Sequence, residues 1–345
     1  MSFSAAGPGF LPGIRPTVSM NLANSLAKTK RFSHALLYKI TMNSTTAGDA
    51  IQQATGTKPE DITKYEDGVN SVFNVVVDGE TVVAKFGTFD PTSVRVEPYV
   101  LRWLEEQGLP TPTVHHIGKY SRTPFFIMEE LTGTQYKYPS EISIEKLTSA
   151  AQKIGALLAQ AHQEEIGIGP LSVADSKLVA EDFEWNSFFT RHMEKFIQQA
   201  KHNYPDLGSE GSRLFHWAEI PPADGGYFCP LDMHTRNLFV KDKTVTGVMD
   251  FERCYGGHSA LGYAVTLYTI RAGRTDDNID RIEQNFKQGY EQHREAPDIA
   301  PVFKLAAVLR EMRAAHIWWD NPEDERERLQ NTLSKIETQI KHKDP

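Results

Sequence analysis

Alternation and periodicity split the chain into a β-rich first part and a helix-rich second part. The clearest early pattern is Ser71-Val72-Phe73-Asn74-Val75-Val76-Val77, then Asp78-Gly79, then Thr81-Val82-Val83-Ala84-Lys85-Phe86. Asp-Gly between two β-branched runs supplies the positive φ angles of a tight turn, so a hairpin is predicted. From Ser93 to Gln107 apolar residues fall at 94, 100, 101 and 104, and the run ends at Gly108, which predicts a helix. Pro98 suits the first turn of a helix better than its interior, which would put Glu97 near the helix start. Residues 114–118 and 124–131 read as strands. Leu147, Ala150, Ala151, Ile154, Leu157, Leu158 and Ala161 form one broad apolar face, predicting a long core helix over 145–162. Further helices are expected at 47–55, 260–271, 277–292, 301–320 and 323–341. An aromatic-rich helical stretch at 182–203 carries Phe183, Trp185, Phe188, Phe189 and Phe196, and core packing accounts for these.

Between the two helix-rich stretches, residues 227–257 read as strand (227–229), polar loop, strand (238–240), turn (241–243) and strand (244–249). Asp232 and Asn237 stand at opposite ends of the loop, and Asp250 leaves the end of the last strand, so a hairpin brings all three together. Phosphoryl transfer from a nucleotide needs that set: hard oxygen ligands for magnesium, and a carboxylate facing the attacking hydroxyl. The alternative is a hairpin whose Asp and Asn only cap turns through local hydrogen bonds. Lys85, at the end of its strand, and Glu97, on the following helix, are placed to form an ion pair that turns the lysine toward a nucleotide. His115-His116 lacks the further partners that a zinc site needs.

Composition narrows the classes. A chain of 345 residues with 40% hydrophobic and 24% charged residues makes one large domain or two lobes. The net charge of -8 disfavours nucleic acid and suits a cationic small substrate. No apolar run of about 18 residues exists to span a membrane. Two cysteines, Cys229 and Cys254, make no disulfide framework and point to a reducing, cytoplasmic setting. Residues 1–41 contain no Asp or Glu but carry Arg15, Lys28, Lys30, Arg31 and Lys39, matching an organellar transit peptide in outline. A leader without a fold, or a start at Met42, is the reading preferred here. Trp318-Trp319-Asp320 with Glu311 forms either an aromatic and acidic wall for a cation or one side of a buried helix.

The motif Pro230-Leu231-Asp232-Met233-His234-Thr235-Arg236-Asn237, followed by Met249-Asp250-Phe251-Glu252, resembles the signature of the aminoglycoside phosphotransferase and choline kinase family. That signature reads His-Gly-Asp-Leu-His-x-x-Asn, a strand, then Ile-Asp-Phe/Trp-Glu. The resemblance implies an α+β, bilobal protein-kinase-like fold. Its N-lobe (45–131, after a leader of 1–44) would hold an antiparallel sheet and one main helix. Its C-lobe (132–345) would be mostly helical and carry the catalytic hairpin. It further implies ATP and Mg2+ as cofactors, Asp232 as catalytic residue, and Asn237 and Asp250 as metal ligands. Gly68, Asn70 and Ser71 would belong to the loop over the phosphates, Lys85 and Glu97 to the phosphate clamp, and backbone groups around Glu129 to Leu131 to the adenine edge. The acceptor would be a hydroxyl of a small molecule. Four positions depart from the family: Pro230-Leu231 replaces His-Gly, and His258 and Gly262 replace two scaffold aspartates. Those departures motivate a second reading, a nucleotide-binding scaffold without turnover. A protein kinase is disfavoured, because little chain separates Glu252 from the next helix and no Ala-Pro-Glu segment follows.

Overall fold

The computed structural model describes residues 42–66, 70–136, 141–180, 225–271, 274, 276–303, 305–306 and, singly, 327, 330, 331 and 334. Residues 1–41, Gly68, the aromatic stretch at 182–203, Glu311 and Trp318-Trp319-Asp320 lie outside the described residues, as does nearly all of the helix expected at 323–341. The chain divides into two units, Met1–Met42 and Asn43–Pro345, and everything below concerns the second.

It opens with helix α1 (Ser44–Thr55), whose first turn is capped by Asn43 accepting from the Thr46 N–H at 2.9 Å. Strands β1 (Asp61–Lys64), β2 (Ser71–Val77), β3 (Glu80–Phe86), β4 (Val114–Tyr120) and β5 (Thr123–Glu129) form an antiparallel sheet in the order β1-β2-β3-β5-β4. The β2–β3 register pairs Val77 with Glu80, leaving Asp78 (φ 54) and Gly79 (φ 77) as the predicted two-residue turn. Helix α2 (Pro91–Glu106) lies between β3 and β4 and starts earlier than its apolar periodicity suggests. Pro91 occupies the first turn, where its missing N–H removes no bond, and the Asp90 carboxylate accepts from the N–H groups of Thr92 and Ser93. Pro98 therefore lies inside the helix and not at its start, and Glu97 is in the second turn. The earlier Pro91 had already supplied the helix start that Pro98 was expected to mark.

The larger part is mainly helical. Helix α3 (Ile144–Ala161) begins at the Ser143 cap and buries the apolar face read from the sequence. Helix α4 (Ser259–Arg271) is buried at every position, as a helix at the centre of a core must be. Helix α5 (Asp276–Tyr290) crosses α3 so closely that a side chain at Gly155 would land on the Phe286 carbonyl. Short strands fill in around them: β6 (Thr134–Gln135), β7 (Gly169–Ala174), β8 (Lys177–Ala180), β9 (Tyr227–Pro230), β10 (Leu238–Lys241), β11 (Thr244–Val248) and β12 (Cys254–Gly257). They form two sheets, β11-β10-β6 and β8-β7-β12-β9. One continuous apolar core runs from Leu101 and Leu104 of α2 and Phe126 of β5, through Ile154 and Leu158 of α3, to Leu267 of α4 and Phe286 of α5.

Candidate active site

Two ladders bracket the residues that carry chemistry. Strands β9 and β12 pair antiparallel, with Pro230 opposite Cys254, and the Leu231 N–H extends that ladder by donating to the Arg253 carbonyl at 3.0 Å. Strands β10 and β11 pair with Leu238 opposite Val248, and the Met249 N–H donates to the Asn237 carbonyl at 3.0 Å. Between these brackets the segments 232–237 and 250–252 pass side by side, which brings Asp232, Asn237, Asp250 and Glu252 to one place. The first segment closes with a 3-10 turn over Thr235–Asn237. Asn237 Nδ2 donates to the Asp232 carbonyl at 2.9 Å, tying the ends of the loop together and turning Oδ1 away. His234 Nδ1 accepts from the Arg236 N–H at 3.2 Å, and Nε2 lies 3.5 Å from Asp232 Oδ1.

Lys85 joins the five-stranded sheet to this segment. Its ammonium lies 2.7 Å from Glu97 Oε2, 2.9 Å from Asp250 Oδ1 and 2.7 Å from Glu252 Oε1. The lysine side chain is 8% exposed, Glu97 1%, Glu252 10% and Asp250 36%, so three of the four charges are withdrawn from water. Burial alone would lower the lysine's pKa, but Asp250, Glu252 and Glu97 outweigh it and hold Lys85 well above its ordinary value. Burial pushes Glu97 up to about 8; Lys85 opposes this, and Asp250 and Glu252 add to it. The two shifts pull in opposite senses, since a firmly charged lysine favours an ionised Glu97. The upward direction for Glu97 follows from counting charges: one ammonium faces three carboxylates, and the most buried carboxylate takes up a proton first. Its other oxygen accepts from the Phe251 N–H at 3.2 Å.

The same surplus of negative charge tests the fit of a divalent cation. Glu97, Asp250 and Glu252 offer carboxylate oxygens all within 4.8 Å of one another, and Asn237 Oδ1 is the hard oxygen its amide leaves over. Oxygen donors with uncompensated charge suit magnesium, so the residues fit. Asp250 reaches Lys85 from a left-handed backbone (φ 65), a conformation Asp tolerates better than most residues.

The structure sets Lys85 against Glu97 and Asp250, and Asn237 against Asp232, and adds Glu252, to which sequence reasoning gave no role. The signal for Glu252 was a second carboxylate two residues after Asp250. Of the residues expected in the loop over the phosphates, Gly68 lies outside the described residues, while Asn70 and Ser71 are described. Asn70 donates from Nδ2 to Glu252 Oε1 at 2.7 Å, while its Oδ1 accepts from the N–H groups of Phe89 and Asp90. Ser71 gives its N–H to Thr88 Oγ1 at 3.0 Å, and the two hydroxyls lie 3.2 Å apart. Asn70 and Ser71 thus fasten the flank of the 67–69 segment to the turn after β3 and, through Asn70, to Glu252. At the end of β5, the Glu129 N–H already donates to the Thr113 carbonyl, and its carboxylate accepts from the Thr113 N–H. Leu131 packs against Gly247 of β11.

A five-stranded sheet supplying a paired lysine, beside a helical part carrying an Asp/Asn/Asp loop, defines a protein-kinase-like phosphotransferase fold. Residues 61–297 match the model of the phosphotransferase enzyme family that includes the aminoglycoside phosphotransferases, and the chain belongs to that family. Solved structures agree on the fold. A putative aminoglycoside phosphotransferase from Ralstonia eutropha JMP134 is 16% identical, with TM-score 0.59 over 86% of this chain and 99% of its own. A thermostable mutant of aminoglycoside phosphotransferase APH(4)-Ia, in ternary complex with ADP and hygromycin B, is 13% identical, with TM-score 0.60 over 87% and 99%. A putative fructosamine-3-kinase from Haemophilus somnus 129PT is 15% identical, with TM-score 0.55 over 85% and 96%. A search of curated proteins gave no match. Among the described residues no helix is long and apolar enough to cross a membrane.

Proposed function

We propose that the protein is an ATP-dependent kinase that moves the γ-phosphate to a hydroxyl of a small aminoglycoside-like, choline-like or sugar-like acceptor. The observation that carries this reading is the Lys85 ammonium held between Glu97 and the Asp250–Glu252 segment, beside a loop that ties Asn237 to Asp232. A buried lysine in that position is directed at nucleotide phosphates, and similar chains have been captured with ADP or AMP-PNP and hygromycin B. Asn237 and Asp250 would hold magnesium, which offsets charge on the phosphates when bound. Asp232 orients the acceptor hydroxyl and takes its proton as the oxygen bonds to phosphorus and the bond to the ADP oxygen breaks. A base in this role contributes about 10²- to 10⁴-fold, and positioning with charge neutralisation supplies most of the rest. Two buried cysteine thiols, Cys229 and Cys254, support a reducing compartment.

The test is magnesium-dependent ATP turnover by the full chain with pooled hydroxyl compounds, run beside Asp232→Asn. Turnover with one pool, lost in the variant, establishes the reading and narrows the acceptor. ATP binding with no turnover in any pool favours a nucleotide-binding scaffold, and no ATP binding at all refutes the site.

A further inference from the structure

His162, which follows α3, is fully buried, and the chemistry proposed for Asp232 leaves it unused. Both ring nitrogens are engaged. Nε2 lies 2.7 Å from the Phe228 carbonyl oxygen, and Nδ1 lies 2.7 Å from the Tyr290 hydroxyl. A carbonyl can only accept, so Nε2 carries the proton, and Nδ1 of the neutral ring accepts from the tyrosine O–H. Phe228 is in β9, the edge strand of its sheet among the described residues, four residues before Asp232. An edge strand has no neighbour to take its outward carbonyls, and His162 takes this one.

The surroundings are cut to admit the ring. A Cβ at Gly262 of α4 would come within 2.9 Å of the Phe228 oxygen and 3.3 Å of His162 Nε2, so a side chain there would press the imidazole off the carbonyl. The backbone of His162 is held as well: its carbonyl accepts from Arg294, whose guanidinium lies 4.2 Å from the Tyr227 ring centroid. The end of α3, the end of α5 and a gap in α4 thus converge on the strand that feeds the loop of Asp232.

We propose that His162 is a positioning residue for phosphoryl transfer. Steadied by the Tyr290 hydroxyl, it donates to the Phe228 carbonyl and fixes where β9 delivers Asp232. The role rests on the phosphotransfer reading above.

Full-length His162→Leu keeps bulk without the donor, His162→Gln keeps an N–H donor, and Tyr290→Phe removes the hydroxyl that steadies the ring. With ATP and the acceptor found for the parent protein, kcat of the leucine variant falls about tenfold while KM for ATP stays within about twofold. The glutamine variant recovers most of the loss, and Tyr290→Phe lies between. Amide exchange quickens at Leu231, Asn237 and Met249 but not in β2 and β3. A filler role alone gives equal kcat in the leucine and glutamine variants. That equality, or unchanged exchange at those three amides in a folded His162→Leu, overturns the proposal. If the leucine variant does not fold, Tyr290→Phe decides by the same two readouts. If the parent shows no turnover, the phosphotransfer reading fails, and exchange still decides whether His162 fixes the loop.

Discussion

Replacing Lys85 with methionine removes, among the described residues, the cation that faces Glu97, Asp250 and Glu252. Methionine keeps most of the buried stem, so lost charge and not lost volume dominates. The Asp250 contact is discounted, because that side chain is 36% exposed and water screens it. Glu97 at 1% and Glu252 at 10% exposure bear the loss. Leaving a buried partner uncompensated costs roughly 3–5 kcal/mol, which lowers the thermal midpoint by about 6–20 °C at 2–4 °C per kcal/mol. Glu97 escapes part of that cost by taking up a proton, and burial has already pushed its pKa up to about 8. Lys85 opposes that upward shift, so its removal raises Glu97 further, and the loss is smaller near about pH 6 and grows towards about pH 9. The assay is thermal unfolding of the nucleotide-free, metal-free full chain at both pH values, for Lys85→Met, Glu97→Gln and the double variant. The double variant is expected to be less destabilised than the sum of the singles by about 2 kcal/mol, because glutamine in place of Glu97 removes the charge that Lys85 served. A Lys85→Met midpoint equal to the parent's near about pH 9, or strict additivity, would refute the reasoning.

Other consequences follow from the same contacts. Asp232→Asn should lower kcat by about 10²- to 10⁴-fold while the ATP dissociation constant, read by calorimetry, stays unchanged; full turnover would remove Asp232 from its role. Asp250→Ala should weaken magnesium-ATP binding at least about tenfold, well beyond its effect on ATP measured in chelator, since it takes away a cation ligand. Glu97 is raised in the folded state, so its contribution is complete below its unfolded pKa and fades as pH rises toward about 8. The parent's midpoint without nucleotide or metal should accordingly fall over that window, and Glu97→Gln should flatten the slope. Gly155→Ala should lower the unfolding free energy by about 1–3 kcal/mol, because the methyl meets the Phe286 carbonyl where α3 crosses α5; a denaturant midpoint unmoved from the parent's would show that the crossing yields freely.

Long periodic elements were legible because burial imposes one period over many residues. The helix expected at 145–162 is α3, and those expected at 260–271 and 277–292 are α4 and α5 to within two residues at each end. The β2–β3 hairpin was legible through Asp78-Gly79, whose turn demands those residue types. Strands β7 and β8 were not. Their two-residue turn, Asp175-Ser176, adopts positive φ without glycine, and strands this short give alternation little length to register. Strand β12 was hidden for another reason: it pairs with β9, which lies more than twenty residues earlier, and no local pattern announces a distant partner. Near the site, the Lys85–Glu97 pairing was legible because a strand end and the next helix placed the two charges, and the Asp232–Asn237 loop because strands flank it. Glu252 and Asn70 find each other across 182 residues, a contact only the folded chain creates.

The four departures from the family signature bear on how the loop is held, and each has a local replacement. Pro230 cannot donate a ladder hydrogen bond, but among the described residues β9 is an edge strand, where proline is tolerated, and the next N–H, of Leu231, resumes the ladder. His258 opens α4 as an aspartate would: its Nδ1 accepts from the Ala260 N–H at 3.2 Å, and its carbonyl accepts from Leu261, Gly262 and the Cys229 thiol. Gly262 removes a carboxylate and by the same act makes room for the His162 imidazole beside the Phe228 carbonyl. All four changes fall on β9, its extension and α4, outside the two segments that the ladders bracket. A chain released from catalysis would be expected to lose charges that are expensive to bury before it rebuilt their supports. Here the buried Lys85–Glu97–Glu252 group is present and paired.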